Sequence, residues 1–221
     1  MGAGMNRAYQ YGLCLLGLSW TGFGFSHELA PVEVTGAMAP LPVSASQGHV
    51  TGDELQVRPL LRAGEIMEAV PGMIATQHSG NGKANQYFFR GFNLDHGTDF
   101  RTEVNGMPVN LPSHGHGQGY TDVNFLIPEV IDTVEYRKGP YYASVGDFSS
   151  AGSVDISTRR SVSRQHVKVT GGEHDYYRGL VYGGKRSGGH KLVYAVEGQT
   201  FNGPWRDINE DVEKVNVLLG H

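Results

Sequence analysis

The chain has 221 residues, a formal net charge of −4 and a single cysteine, Cys14. That excludes an internal disulfide and a generally basic nucleic-acid binder. Glycine, at 32 residues, is well above its ordinary share and has no Gly-X-Y period, and only 39% of residues are apolar and 18% charged. This pattern points to short β segments joined by many turns rather than to one large apolar core.

Residues 1–10 are polar and carry one positive charge, Arg7, and residues 11–25 are apolar and glycine-rich. The two together read as a secretory signal peptide over residues 1–26. Beyond it no apolar run reaches the length a transmembrane helix needs. Residues 27–58 are rich in Pro, Ala, Ser and Val and read as an extended linker. Inside the linker, Val32, Glu33, Val34 and Thr35 form a small alternating β segment between Pro31 and Gly36.

Leu60, Ala63, Met67 and Val70 recur at three- and four-residue steps, which predicts a short helix stopped by Pro71-Gly72. A strand over residues 73–77 and a loop over 79–82 follow. Gly82-Lys83 lacks the Ser/Thr and the first glycine of a phosphate loop, so nucleotide binding is set aside. Residues 87–92 (YFFRGF) read as one strand. Asn105-Gly106 suits a type I′ hairpin turn, because both central residues need positive φ. Residues 111–122 read as a glycine- and histidine-rich loop, Pro128-Glu129 as the start of a helical turn, and residues 134–137 and 153–158 as strands. After Arg160 come four alternating segments joined by glycine-rich turns. That ladder fits the strands of a membrane β-barrel or an ordinary soluble antiparallel sheet, and spacing alone does not choose between them.

Five stretches in order over residues 59–158 resemble the plug of a TonB-dependent outer-membrane receptor. Leu60-Leu61 to Val70-Pro71-Gly72-Met73 is similar to the family's plug opening. Tyr87 to Phe92 is similar to its Arg-Gly strand, and Glu103 to Val109 to its V-D-G-x-P hairpin, with Asn105 where Asp is usual. Pro128 to Pro140 and Tyr141 to Thr158 resemble the two closing stretches, with Ala151-Gly152 in place of Gly-Gly and Asp155 in place of Asn.

The resemblance implies an α+β plug domain, a small mixed sheet with short helices, over residues 59–160. The opening strands of a transmembrane antiparallel β-barrel follow over residues 161–221. It implies a place in the cell outer membrane, in contact with its lipid. It also implies transport of a small-molecule or metal-chelate substrate rather than catalysis, with no cofactor and no nucleic acid. The inner-membrane protein TonB is the implied partner, contacting Val32, Glu33, Val34 and Thr35 as a coupling box by strand pairing. About 60 residues after the plug hold roughly four strands, and four strands cannot close a barrel. The expectation is therefore a truncated barrel belonging to a longer receptor. A soluble periplasmic plug-like binding module without transport is the alternative, and a structural β protein without a ligand is a third reading.

Among the ten histidines, His96, His114 and His116 fall in plug loops and are the candidate substrate-binding residues. His114-Gly115-His116 could present two imidazoles to one metal, with Asp95, Asp99 or His96 completing the set. The bland reading is that such histidines brace a loop or stack on a non-metal substrate. Arg90, Glu135 and Arg137 are expected to form charged pairs where the plug meets a polar lumen. No G-x-S-x-G or H-E-x-x-H occurs, and nothing pairs a nucleophile with a base, so an enzyme is not expected.

Overall fold

The computed structural model describes residues 46–77 and 80–221, and the expected signal peptide and coupling box lie outside them. The chain opens on strand β1, Gln47–Thr51, and helix α1, Gly52–Gln56. Thr51 caps α1: its hydroxyl accepts from the Glu54 amide, and the Glu54 carboxylate accepts from the Thr51 amide at 2.7 Å. The sequence reads as an extended linker here, yet β1 joins the plug sheet. Five residues are too few for their alternation to be visible against the Pro- and Ser-rich run before them.

The predicted short helix is a 3₁₀ helix, Ala63–Ala69. Ala63, Ile66, Met67 and Val70 are buried along it, and the Glu65 carboxylate accepts from the Leu61 and Arg62 amides at its start. Strands β2 (Met73–Thr76), β3 (Gln86–Phe89) and β4 (Phe92–Asn93) form a three-stranded antiparallel sheet. The YFFRGF stretch is thus a hairpin and not one strand, because Arg90 (φ 49°) and Gly91 (φ 86°) turn the chain between Phe89 and Phe92.

Strands β5 (Phe100–Val104), β6 (Met107–Pro108), β7 (Ile131–Lys138) and β8 (Gly152–Thr158) complete a second sheet, ordered β1-β7-β8-β5-β6. It is mixed: β5 and β8 run parallel, and the other pairs are antiparallel. Asn105 (φ 53°) and Gly106 (φ 75°) make the predicted hairpin turn, and the Asn105 carboxamide oxygen accepts from the Thr158 amide at 2.8 Å. The core joins the two sheets through Phe89, Phe100, Ile131, Val134 and Ile156. Phe89 and Phe100 meet edge to face with ring centroids 5.4 Å apart. This is the expected α+β plug.

Strands β9 (His166–Gly171), β10 (Tyr177–Ser187), β11 (His190–Phe201) and β12 (Val212–Gly220) form an antiparallel four-stranded sheet. Val167, Val169, Val181, Val196, Val215, Val217 and Leu219 are exposed on one face. On the other, Arg178, Leu180, Val193, Ala195 and Glu197 are buried. An outward face of apolar residues at period two is the pattern of an opening barrel wall, and the inward face mixes charged with apolar residues where the plug packs on it. The short 3₁₀ turn Pro128–Val130 of the plug docks there: Ile127 and Val130 pack on Leu180 and Ala195. Beside them Glu129 bridges Arg178 and Lys168, and Glu197 bridges Arg178 and Lys214. Among the described residues these are the buried ion pairs between plug and sheet. Arg90, Glu135 and Arg137 take no part in these pairs and lie on the surface of this chain.

Candidate functional site

Residues 94–121 run from the end of β4 through the β5–β6 hairpin into the histidine loop, and Asn110 holds them from inside. Its carboxamide nitrogen donates to the carbonyls of Gly97, Phe100 and Gly119 at 3.0–3.2 Å, and its oxygen accepts from the Thr102 amide at 2.7 Å. All four bonds are buried, so this one side chain replaces the ladder that a strand would supply. Gly119 (φ 85°) passes against Phe148 and the Thr98 backbone, where a Cβ would lie 2.8–2.9 Å from either. A single bridge, Leu111 to Tyr120, closes the base of the histidine segment.

On this frame stand His96, His114, His116 and Tyr120. His96 is 3% exposed, and its Nδ1 lies 2.9 Å from the Ala84 carbonyl oxygen, so Nδ1 carries the proton and donates it. His116 stacks on His96 with centroids 5.0 Å apart and planes 11° from parallel. His114 stacks on Tyr120 at 3.8 Å. Tyr120 in turn accepts from the Ala84 amide through its hydroxyl oxygen at 3.0 Å. His114 Nδ1 accepts from the His116 amide at 3.1 Å, which leaves the His114 proton on Nε2. Loss of hydration in the stack, helped by nearby Lys83 and the neighbouring histidines, lowers the His116 pKa below its ordinary value.

Sequence reasoning named the three histidines, and the structure brings them together, with His114 and His116 on the surface and His96 beneath. His96 is covered on one ring face by His116. Asp95 lies 3.7 Å from His96 Nε2, and Asp99 is instead bonded to the Ser150 hydroxyl. Among the described residues no set of three or more His, Cys, Asp or Glu side chains is placed to hold a metal ion. Tyr120 and Asn110 were missed. An aromatic residue closing a Gly/His loop was the available sign for Tyr120, whereas a lone Asn carries none.

The family model of the TonB-dependent receptor plug domain matches residues 39–153, over half of the chain. The chain belongs to this family. Its members are outer-membrane receptors and not enzymes, and the chain is placed in the cell outer membrane with them. Solved receptors share the fold. The siderophore receptor PirA from Acinetobacter baumannii is 19% identical, with a TM-score of 0.51 over 76% of this chain and 26% of its own. The ferric yersiniabactin uptake receptor FyuA from Yersinia pestis is 19% identical, with a TM-score of 0.50 over 71% of this chain and 24% of its own. The copper transporter OprC is 15% identical, with a TM-score of 0.56 over 72% and 25%. The chain thus spans about a quarter of the length of these receptors.

Proposed function

We propose that this plug serves energised, TonB-dependent uptake of a scarce substrate, a siderophore or other metal chelate, across the outer membrane. The observation that carries the reading is the docking of a family plug, through buried Glu129, onto a sheet whose exposed face is apolar. Lipid is the solvent that suits such a face, and a plug inside a barrel is the arrangement that blocks a lumen until energy is supplied. In this reading residues 1–26 direct export, and Val32, Glu33, Val34 and Thr35 in the following linker are captured by TonB as an added strand. Residues 59–160 act as the plug, and residues 161–221 open the barrel wall. His114 and His116 contact the substrate, backed by His96, and offer their imidazoles to its metal. His114 must exchange its bond from the His116 amide for the metal, which makes this a weak contact that selects rather than a resident site.

The experiment is uptake of radiolabelled ferric and cupric chelates by cells that depend on the receptor carrying this chain. Val34→Pro removes a backbone donor from the coupling box. The expected result is abolished uptake with surface binding intact. Uptake unchanged by Val34→Pro would place energy coupling elsewhere. His114→Ala with His116→Ala should weaken surface binding, more at pH 7.5 than at pH 5.5, because protonated imidazole does not ligate metal.

A further inference from the structure

A cleft of about 510 Å³ opens between the plug and the ends of β9–β12, lined on the strand side by Thr170, Gln199 and the connections around them. Residues 172–176 and 202–211 link the strands at this end, and only Gly188-Gly189 links β10 to β11 at the other. In membrane barrels the short turns face the periplasm and the long connections face outside, so this cleft opens outward. It shares no lining residue with the histidine cluster.

Its walls are aromatic and acidic. Tyr176 and Phe201 meet edge to face with centroids 5.7 Å apart, and Trp205, 62% exposed, stands at the edge. The lining holds one guanidinium, Arg62, against three carboxylates, Glu65, Glu173 and Glu210. The guanidinium is already spent. Arg62 donates to Glu65 through Nη2 at 2.8 Å and Nε at 3.0 Å. Glu210 accepts from the Asn81 amide and carboxamide and has no ion-pair partner among the described residues. Glu173 has no ion-pair partner among the described residues. Two lining amides are also incomplete: Gln77 Nε2 and Gln199 Oε1 have no hydrogen-bond partner among the described residues.

We infer that this cleft receives a metal chelate of net positive charge with an exposed apolar or ring face, and that it rejects polyanionic chelates. The inference rests on the receptor reading above and names the charge class of its substrate. A cation over aromatic faces is drawn by the ring quadrupoles, and a concave wall of one sign concentrates counter-ions. A polyanion meets uncompensated carboxylates and finds no unpaired cation in the lining. The volume is that of an ordinary small-ligand site.

The test uses the full chain in detergent with Trp20→Phe, so that Trp205 is the one fluorophore of its kind. Three probes are titrated: a ferric trihydroxamate with a pendant ammonium, the same chelate acetylated at that amine, and a ferric tris-catecholate. The ammonium chelate should quench Trp205 saturably. Acetylation should weaken binding about five- to tenfold, and the catecholate should bind at least roughly a hundredfold more weakly. Glu173→Gln should weaken the ammonium chelate about fivefold and leave the acetylated one unchanged. Equal or tighter binding of the catecholate, no saturable quenching by any probe, or an equal effect of Glu173→Gln on both hydroxamates overturns the inference. Uptake that Val34→Pro abolishes, beside a cleft that binds none of the probes, leaves the receptor reading standing and removes this one. Charge-selective binding without any such uptake does the reverse.

Discussion

Glu129 of the plug and Arg178 of β10 meet in a two-pronged contact, Nη1 to Oε1 at 2.7 Å and Nη2 to Oε2 at 2.8 Å. Both side chains are buried, and Arg178 also donates to Glu197 through Nε at 2.7 Å. One guanidinium thus satisfies two carboxylates from two separate parts of the fold. Burying such charges is costly, so the arrangement holds only while every member has its partner. Arg178→Met, which takes the guanidinium from two buried carboxylates and leaves them only Lys168 and Lys214, should destabilise the chain by about 3–5 kcal/mol. Glu129→Gln, which keeps an acceptor, should cost less. Urea unfolding of each variant in detergent, followed by tryptophan fluorescence, measures the order. A larger loss from Glu129→Gln would mean that the plug side dominates.

The same contact sets a pH window. Burial pushes the Glu129 carboxyl up, but the bonds and charge of Arg178, with Lys168 added, overcome this and hold its pKa at about 2, below the ordinary 4.5. A depressed folded-state value gives stability that is fully present above about pH 4.5 and is lost as pH falls toward 2. The loss should be roughly 2–3 kcal/mol across that interval. Urea midpoints at pH 6, 4 and 3 should fall in wild type and fall less in Glu129→Gln. Parallel declines in both would assign the acid sensitivity to other groups.

Asn110 makes a third expectation. Asn110→Ala removes four buried bonds and leaves the Thr102 amide without its acceptor, while the Gly97 and Gly119 carbonyls keep the Phe100 amide and the Thr121 hydroxyl; about 2–4 kcal/mol is expected. Asn110→Asp should be at least as severe, because a carboxylate cannot donate to three carbonyls. Hydrogen exchange over residues 97–121 should quicken in both variants, and His114 and His116 should lose their stacking partners. Unchanged exchange there would show that the Leu111–Tyr120 bridge suffices.

The Asn105-Gly106 turn gives a fourth. Asn105 sits at φ 53° and accepts from the Thr158 amide, tying the hairpin to β8. Asn105→Gly keeps the backbone easy but loses that bond, so about 1 kcal/mol is expected. Asn105→Val loses the bond and forces a β-branched residue into the left-handed region, for about 2–3 kcal/mol. Thermal midpoints of the two variants check the order. A Val variant as stable as the Gly variant would mean that the turn relaxes to another type.

Turns and alternating segments were legible in the sequence where a residue type forces a geometry. Asn105-Gly106 demanded positive φ, Pro71-Gly72 ended the helix, and the β9–β12 alternation followed from a wall with two different sides. What stayed hidden depends on contacts distant in sequence. The parallel pairing of β5 with β8 joins residues about 50 apart, and β1 pairs with β7 across more than 80. The Arg90-Gly91 turn was masked because the flanking aromatic residues suit a strand as well as a hairpin. In the site, the histidines drew attention by their spacing. Asn110 and Tyr120, which hold them in place, act through backbone groups that no pattern of residue types reveals.

Strand β1 sits at the margin of its sheet, bonded on one side only, to β7. Its first link is the Lys138 amide to the Ser46 carbonyl, and its last pair is Thr51 with Thr133, followed by the capped turn of α1. Tension entering from the N-terminal side therefore loads one short ladder before it reaches the rest of the plug. If the pull has a component across the strands, the ladder peels rung by rung, at a lower peak force than simultaneous shearing would need. Next in line stands the Arg159–Asp53 contact at 2.7 Å, a clasp between the end of β8 and the start of α1. Load from the N-terminal side thus meets these two seams in turn, the β1 ladder first and the clasp second.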